Sequence, residues 1–258
     1  MKQFLLLCAA LTTLSASAQI VTPSGKVLPA PPGHKVSDGR VFELISVESM
    51  PMPPPAGEIK KMRDSFKVKA ADGVSHLEQA PAKVKKFFEH HKAAAGYLAA
   101  TEARKAQPGA AKMGAPVPQV HKDLAELKLS FKPVRFPRAT LTAVAPAGTV
   151  VNGNWTGVER FFSIPGVGLA SLTELDLAAT KGKFSMLKEA VNGAVNGGPA
   201  ISKVFLNELG DSVEEVVWMN GNVYSQLTFG PNVVTSAHGA KTKATRGVSG
   251  LSLAQEMQ

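Results

Sequence analysis

One cysteine, Cys8, is the whole thiol content of a chain of 258 residues. It lies inside the apolar run from Phe4 to Leu14, which follows Lys2 and precedes Ala16, Ser17 and Ala18. A cation, a short apolar run and a small-x-small site form the pattern of an export signal. Cleavage after Ala18 is expected, so residues 1–18 read as a signal peptide and the mature chain starts at Gln19. That chain has no cysteine, which excludes disulfides, thiolate metal sites and cysteine nucleophiles. Lipidation at Cys8 is not expected, because too little apolar sequence precedes it. The short cationic start and the Ala-Ser-Ala-Gln junction suit a bacterial leader, so the expected location is periplasmic or secreted.

Other shortages narrow the class further. A membrane-spanning helix needs about 20 apolar residues, and the Phe4–Leu14 run is shorter. Aromatic residues make up 6%, with 2 Trp and 2 Tyr, so platforms for stacking sugars are scarce. No segment repeats with a period of about 20–50 residues, which argues against a solenoid. With 44% hydrophobic and 19% charged residues the chain is neither wholly disordered nor polytopic.

The charge is uneven. Residues 19–150 hold 20 Lys/Arg and 11 Asp/Glu, whereas residues 151–258 hold 8 and 9. Two units are implied. Residues 19–56 are Pro-rich and extended, with a strand expected at Arg40–Val47 and a stiff spacer at Pro51–Pro55. A basic helical region is expected over 57–106. Ile59, Met62 and Phe66 make one helical stripe. Ser75 and Glu78 have capping-box spacing. Pro81 suits a first helical turn, and Val84, Phe87, Phe88, His91, Ala95 and Leu98 form an apolar face over about Ala80–Lys105. Residues 107–122 read as a linker rich in Pro, Ala and Gly.

From 123 to 232 the apolar period falls to 2. Leu127, Leu129 and Phe131 alternate with Lys128, Ser130 and Lys132. Strands are expected at Ala139–Ala145, Trp155–Ile164, Leu172–Ala179, Ile201–Leu209, Val213–Met219 and Val223–Phe229. The last two flank Asn220-Gly221-Asn222, a hairpin signal. Phe184, Leu187, Val191 and Val195 have helical spacing, so one helix is expected among the strands. Trp218 is expected in the core, close to Tyr224 across the hairpin. Residues 233–258 read as a flexible tail. The fold class is therefore α+β, a basic helical region followed by an antiparallel sheet wrapped around one helix.

Candidate chemistry is thin. Gly166-Val167-Gly168 lacks the helix that a dinucleotide turn needs. His90 and His91 are adjacent, not i, i+4, and Glu89 does not complete a zinc-protease motif. Ser249 has flanking glycines but no strand–turn–helix setting. Glu174 and Asp176 share a strand face at a spacing of glycosidase interest, although the solvent face of an amphipathic strand explains them equally. Glu214-Glu215 is a second acidic pair. No catalytic, cofactor or metal residue is therefore assigned. The stretch from Lys60 to Lys92 is basic, and Lys60, Lys61, Arg63, Lys83, Lys85 and Lys86 are its candidate contacts to an anionic surface, with nucleic acid a weaker option because Phe87 and Phe88 belong to the apolar stripe.

The segment Val195–Gly230, "VNGGPAISKVFLNELGDSVEEVVWMNGNVYSQLTFG", together with upstream "FPRATLTAVAPAG" and "GVERFF", resembles small β-rich periplasmic regulator modules and the lipoprotein-carrier-like half-barrel. The likeness spans residues 131–231. It implies a curved antiparallel sheet around a helix at Lys183–Val195, and a non-catalytic binding or sensing role with no catalytic residues to transfer. The expected function is an exported binding, sensing or envelope-interaction protein whose inner sheet face holds a lipid, peptide or partner segment. The alternatives are a secreted hydrolase using Glu174 and Asp176 or a histidine, and an anionic-polymer or nucleic-acid binder.

Overall fold

A computed structural model describes residues 20–21, 27–28, 41–50, 55, 57–61, 77–106, 120–231, 234–235, 241–242 and 248–258. The strands are β1 (Ile20–Val21), β2 (Val27–Leu28), β3 (Phe42–Ile45), β4 (Leu77–Gln79), β5 (Thr140–Val151), β6 (Asn154–Ile164), β7 (Gly168–Asp176), β8 (Phe184–Leu187), β9 (Gly193–Val195), β10 (Gly198–Leu206), β11 (Ser212–Asn220), β12 (Val223–Pro231), β13 (Val234–Thr235) and β14 (Lys241–Thr242). Two helices, α1 (Pro81–Lys105) and α2 (Gly250–Gln255), complete the set, and residues 57–61 are also helical. The class is α+β.

The main sheet runs β4-β10-β11-β12-β7-β6-β5, with β9 also on β10. Its long strands pair antiparallel throughout; only short β4 joins in parallel. The turns follow from local chemistry. Asn152-Gly153 and Asn196-Gly197 both take positive φ and link β5 to β6 and β9 to β10. Two-residue hairpins need that conformation, and Asn and Gly adopt it at least cost. In the β11–β12 hairpin Asn220 pairs with Val223, so the turn residues are Gly221 and Asn222, and the positive φ falls on Gly221.

Period 2 gives the sheet two faces. The first carries Phe162, Ile164, Leu172, Val216, Trp218, Leu227 and Phe229, and is filled by Val134, Phe136 and by Leu253, Ala254 and Met257 of the C-terminal segment. The second is covered by α1, whose Val84 and Phe87 meet Phe205 and Val213 while Ala94 meets Phe161 and Ala143. Beside it, the parallel pair β3–β8 lays Phe184 and Met186 against Tyr224. A Cβ on Gly230 would come within 2.5 Å of the Phe87 ring, so the absent side chain lets the helix seat.

Several expectations change. Residues 184–195 form β8, a 3-10 turn and β9 rather than a helix. The spacing of Phe184, Leu187, Val191 and Val195 is helical, but Phe184 and Met186 alternate as in a strand, and pairing with distant β3 and with β10 decides it. The sheet therefore does not wrap a helix at Lys183–Val195. Of the basic region, 57–61 and α1 are helical, Glu78 lies in β4, and Ser75 and Met62–Lys69 lie outside the described residues. The N-cap of α1 is Ala80 and no side chain caps it. Ala94, not Ala95, is buried, so the stripe continues through Val84, Phe87, Ala94 and Thr101. Because α1 shares core with the sheet, it is not a unit apart. The end of the supposed tail is packed: Leu253 and Met257 are fully buried. The signal peptide and residues 107–119 of the linker lie outside the described residues.

Candidate functional site

Residues 121–134 form a strap across the first face of the β5–β6 hairpin. It is anchored at each end by backbone hydrogen bonds. His121 exchanges both of its bonds with Val144 on β5, at 2.7 and 2.9 Å. Further on, Trp155 N–H donates to Lys128 O at 2.7 Å and Ser130 N–H donates to Trp155 O at 3.0 Å. Between these anchors Leu124–Glu126 makes one 3-10 turn, capped by Asp123 Oδ1, which accepts from Ala125 N–H at 2.9 Å. The strap ends at Val134, whose N–H donates to Glu174 Oε1 at 3.0 Å and whose carbonyl accepts from Arg160 Nη1 at 2.8 Å.

The alternation seen in the sequence is kept although no regular strand forms. Leu127 is buried, Leu129, Phe131 and Pro133 are half-buried, and Lys128, Ser130 and Lys132 are exposed. Leu124, Leu129 and Phe131 pack with Leu127, Val144, Val158 and Trp155. A shallow, mostly apolar groove runs along the strap, lined by Leu124, Leu127, Leu129, Phe131 and Pro133 with Asp123 and Lys132 at its edges. Val150, at the end of the β5–β6 hairpin and paired with Trp155, stays 54% exposed.

The ionisable groups on the sheet are committed elsewhere. Glu174 and Asp176 lie on the buried first face, not on a solvent face. Glu174 is ion-paired with Arg160. Burial raises its pKa, and the nearby Arg160 charge and Val134 N–H oppose that shift. Asp176 accepts from Ser130 Oγ at 2.7 Å and Ala179 N–H at 3.0 Å. Neither carboxylate is offered to a substrate. Glu214 and Glu215 point to opposite faces. Glu214 accepts from Ser202 Oγ at 2.7 Å and from the first backbone N–H groups of α2. Glu215 meets Lys83 at 2.8 Å and Gln226 at 3.0 Å, and Gln226 in turn accepts from Tyr224.

The histidines follow the same logic. His90 meets Glu159 at 3.0 Å. His91 is wedged between the Phe87 and Phe161 rings, and its Nε2 has no hydrogen-bond partner. Among the described residues no group of three His, Cys, Asp or Glu is arranged to hold a metal. Ser249 is the N-cap of α2, accepting from Ser252 N–H at 3.1 Å. Gly166 and Val167 lie in the β6–β7 turn, and Gly168 opens β7.

The six candidate anionic-surface contacts do not act alike. Lys60 and Lys61 are exposed on the 57–61 helical segment, and Arg63 lies outside the described residues. Lys83 faces inward, 3.6 Å from the Phe205 ring centroid and bonded to Glu215, so it docks the helix. Lys85 and Lys86 are exposed, with Lys85 3.6 Å from Glu89. The groove itself was not singled out from the sequence. Its signal was present in the alternating run from Leu127 to Pro133, which reads as an ordinary half-buried strand until its missing neighbour on one side is known. Among the described residues, no helix is long and apolar enough to cross a membrane. Comparison of the chain with protein-family models, curated proteins and solved structures finds no match.

Proposed function

We propose that this chain is an exported, non-catalytic binding protein of the bacterial envelope, and that the groove along residues 123–133 takes an apolar group of its ligand. The observation that carries this reading is the contrast between the groove and the sheet. The groove is lined by Leu124, Leu129, Phe131 and Pro133, while Glu159, Glu174, Asp176, Glu214 and Glu215 each hold a structural partner. Acid–base catalysis needs such groups convergent on a substrate; binding an apolar moiety needs a concave apolar wall.

The inner sheet face is not the site on this reading, because α2 and Val134–Phe136 already fill it. An environment-sensitive apolar dye such as N-phenylnaphthylamine tests the groove. Its emission should rise with the native protein and fall with Leu129→Ser/Phe131→Ser, provided that variant keeps a cooperative melt. Equal emission from a folded variant would refute the site.

A further inference from the structure

We infer that the strap is a docking surface for an anionic lipid bilayer, with the apolar groove meeting the interface and a row of free lysines meeting the phosphates. This rests on the binding reading above and names its partner. The first observation is a charge imbalance along the strap. Lys122, Lys128, Lys132 and Arg135 are all exposed, and their side chains have no carboxylate partner among the described residues. The acids beside them are consumed. Asp123 caps the 3-10 turn. Glu126 is held by Lys105 at 2.6 Å, by His121 at 3.2 Å and by two backbone N–H groups. Among the described residues the strap's four cations outnumber its two acids, and no carboxylate pairs with any of the four.

The second observation is where those cations stand. Lys132 lines the groove together with Leu129, Phe131 and Pro133, and Lys128 stands exposed between Leu127 and Leu129 on the same segment. The strap bridges at Leu129 to Trp155, whose partner Val150 is exposed. An aromatic ring beside an exposed aliphatic residue and flanking lysines is the residue set that favours a membrane–water interface. Helix α1 also exposes lysines, Lys85, Lys86 and Lys92, and an apolar groove lies beside Lys85, but that groove is bordered by the acids Glu89, Glu208 and Asp211, which repel an anionic surface. That difference makes α1 the internal control.

Flotation with vesicles decides it. The full chain should float with phosphatidylglycerol–phosphatidylcholine vesicles and not with phosphatidylcholine alone, and added salt should release it. Each cation near such a surface contributes about fivefold, so Lys122→Gln/Lys128→Gln/Lys132→Gln should weaken binding by about 100-fold. Lys85→Gln/Lys86→Gln/Lys92→Gln removes the same charge and should keep most of the binding. Equal loss in both triple variants would reduce the effect to net charge and overturn the inference. So would equal binding to neutral vesicles. If the apolar dye still binds the groove but no vesicle floats the protein, the bilayer is wrong and the binding reading survives. Capture of soluble polyglutamate in place of vesicles would give the strap to an acidic protein partner and also overturn it. Loss of both dye and vesicle binding would remove the binding reading itself.

Discussion

Arg160 on β6 and Glu174 on β7 form a buried ion pair that grips both backbone polar atoms of Val134, one residue of each pair member per atom. The pair thus does for the strap what a neighbouring strand would do, satisfying an N–H and a C=O in a place where water is excluded. Its worth lies in positioning rather than in net stability, since desolvating two charges offsets their attraction. Glu174→Gln should therefore cost about 3–5 kcal/mol, because it leaves Arg160 buried and uncompensated. The double change Arg160→Met/Glu174→Leu should be milder than the sum of the single ones. Urea melts of the three variants measure the coupling, and strict additivity would show that the two side chains do not act together.

His91 sets an acid limit on stability. Burial, with a smaller contribution from His90, lowers its pKa to about 4 from the usual 6.5. Between those values the unfolded chain binds a proton that the folded chain refuses. Stability is then full above about pH 6.5 and declines as pH falls toward 4, by at most about 3 kcal/mol. His91 packs against the Phe87 and Phe161 rings, and His90, whose charge acts on it, is itself bonded to Glu159 on β6. His91→Phe should flatten the slope of the urea midpoint between pH 7 and pH 5. An unchanged slope would place the acid sensitivity elsewhere. Glu43, whose pKa is lowered first by its hydrogen bond to Lys183, loses its contribution only below the ordinary carboxylate range and does not blur this window.

Trp218 is fully buried, and across the hairpin it faces Ser225; Tyr224 pairs with Met219 and lies on the other face. The expected Trp218–Tyr224 contact is therefore replaced by two separate cores. Trp218→Ala should cost about 3–5 kcal/mol. The indole N–H has no hydrogen-bond partner, so Trp218→Phe gives up no such bond, leaves a smaller cavity than Ala, and should cost clearly less than Trp218→Ala. Similar losses for both variants would show that Phe cannot fill the indole's place in this core.

The C-terminal helix should behave as core. Leu253 is fully buried against the first face, and Glu214 receives the opening N–H groups of α2. Leu253→Ala should cost about 2–5 kcal/mol. Limited proteolysis of native protein should leave residues 248–258 attached. Their early release without change in the melt would contradict the packing.

What could be read beforehand was whatever neighbours in sequence decide. The apolar face of α1, the strands from Thr140 to Asp176 and those from Gly198 to Pro231 are local, and they emerged nearly intact. Residues whose role depends on a remote partner were misread. The segment Phe184–Val195 takes its conformation from β3 and β10. Glu174 and Asp176 look like solvent-facing acids until Arg160, Val134 and Ser130 are brought over them. Leu253 and Met257 sit in a short run that is too small to signal a buried helix by itself. The groove is invisible for the same reason: its apolar residues alternate as any strand would, and only the fold shows that one side has no neighbour.

The strand order has a consequence for how the chain assembles. β5, β6 and β7 form one local meander, and β10, β11 and β12 form another. Each can close through tight turns between adjacent segments. The two meet only at the β7–β12 seam, where Gly168 lies opposite Pro231 and the whole β8–β9 excursion must already be looped out. Pairings between distant segments are the slow ones, because the entropy of loop closure is lost before contacts compensate it. The seam is thus the late step of folding, and until it closes, Leu172 and Leu227 on its two sides leave two apolar edges open to a second chain.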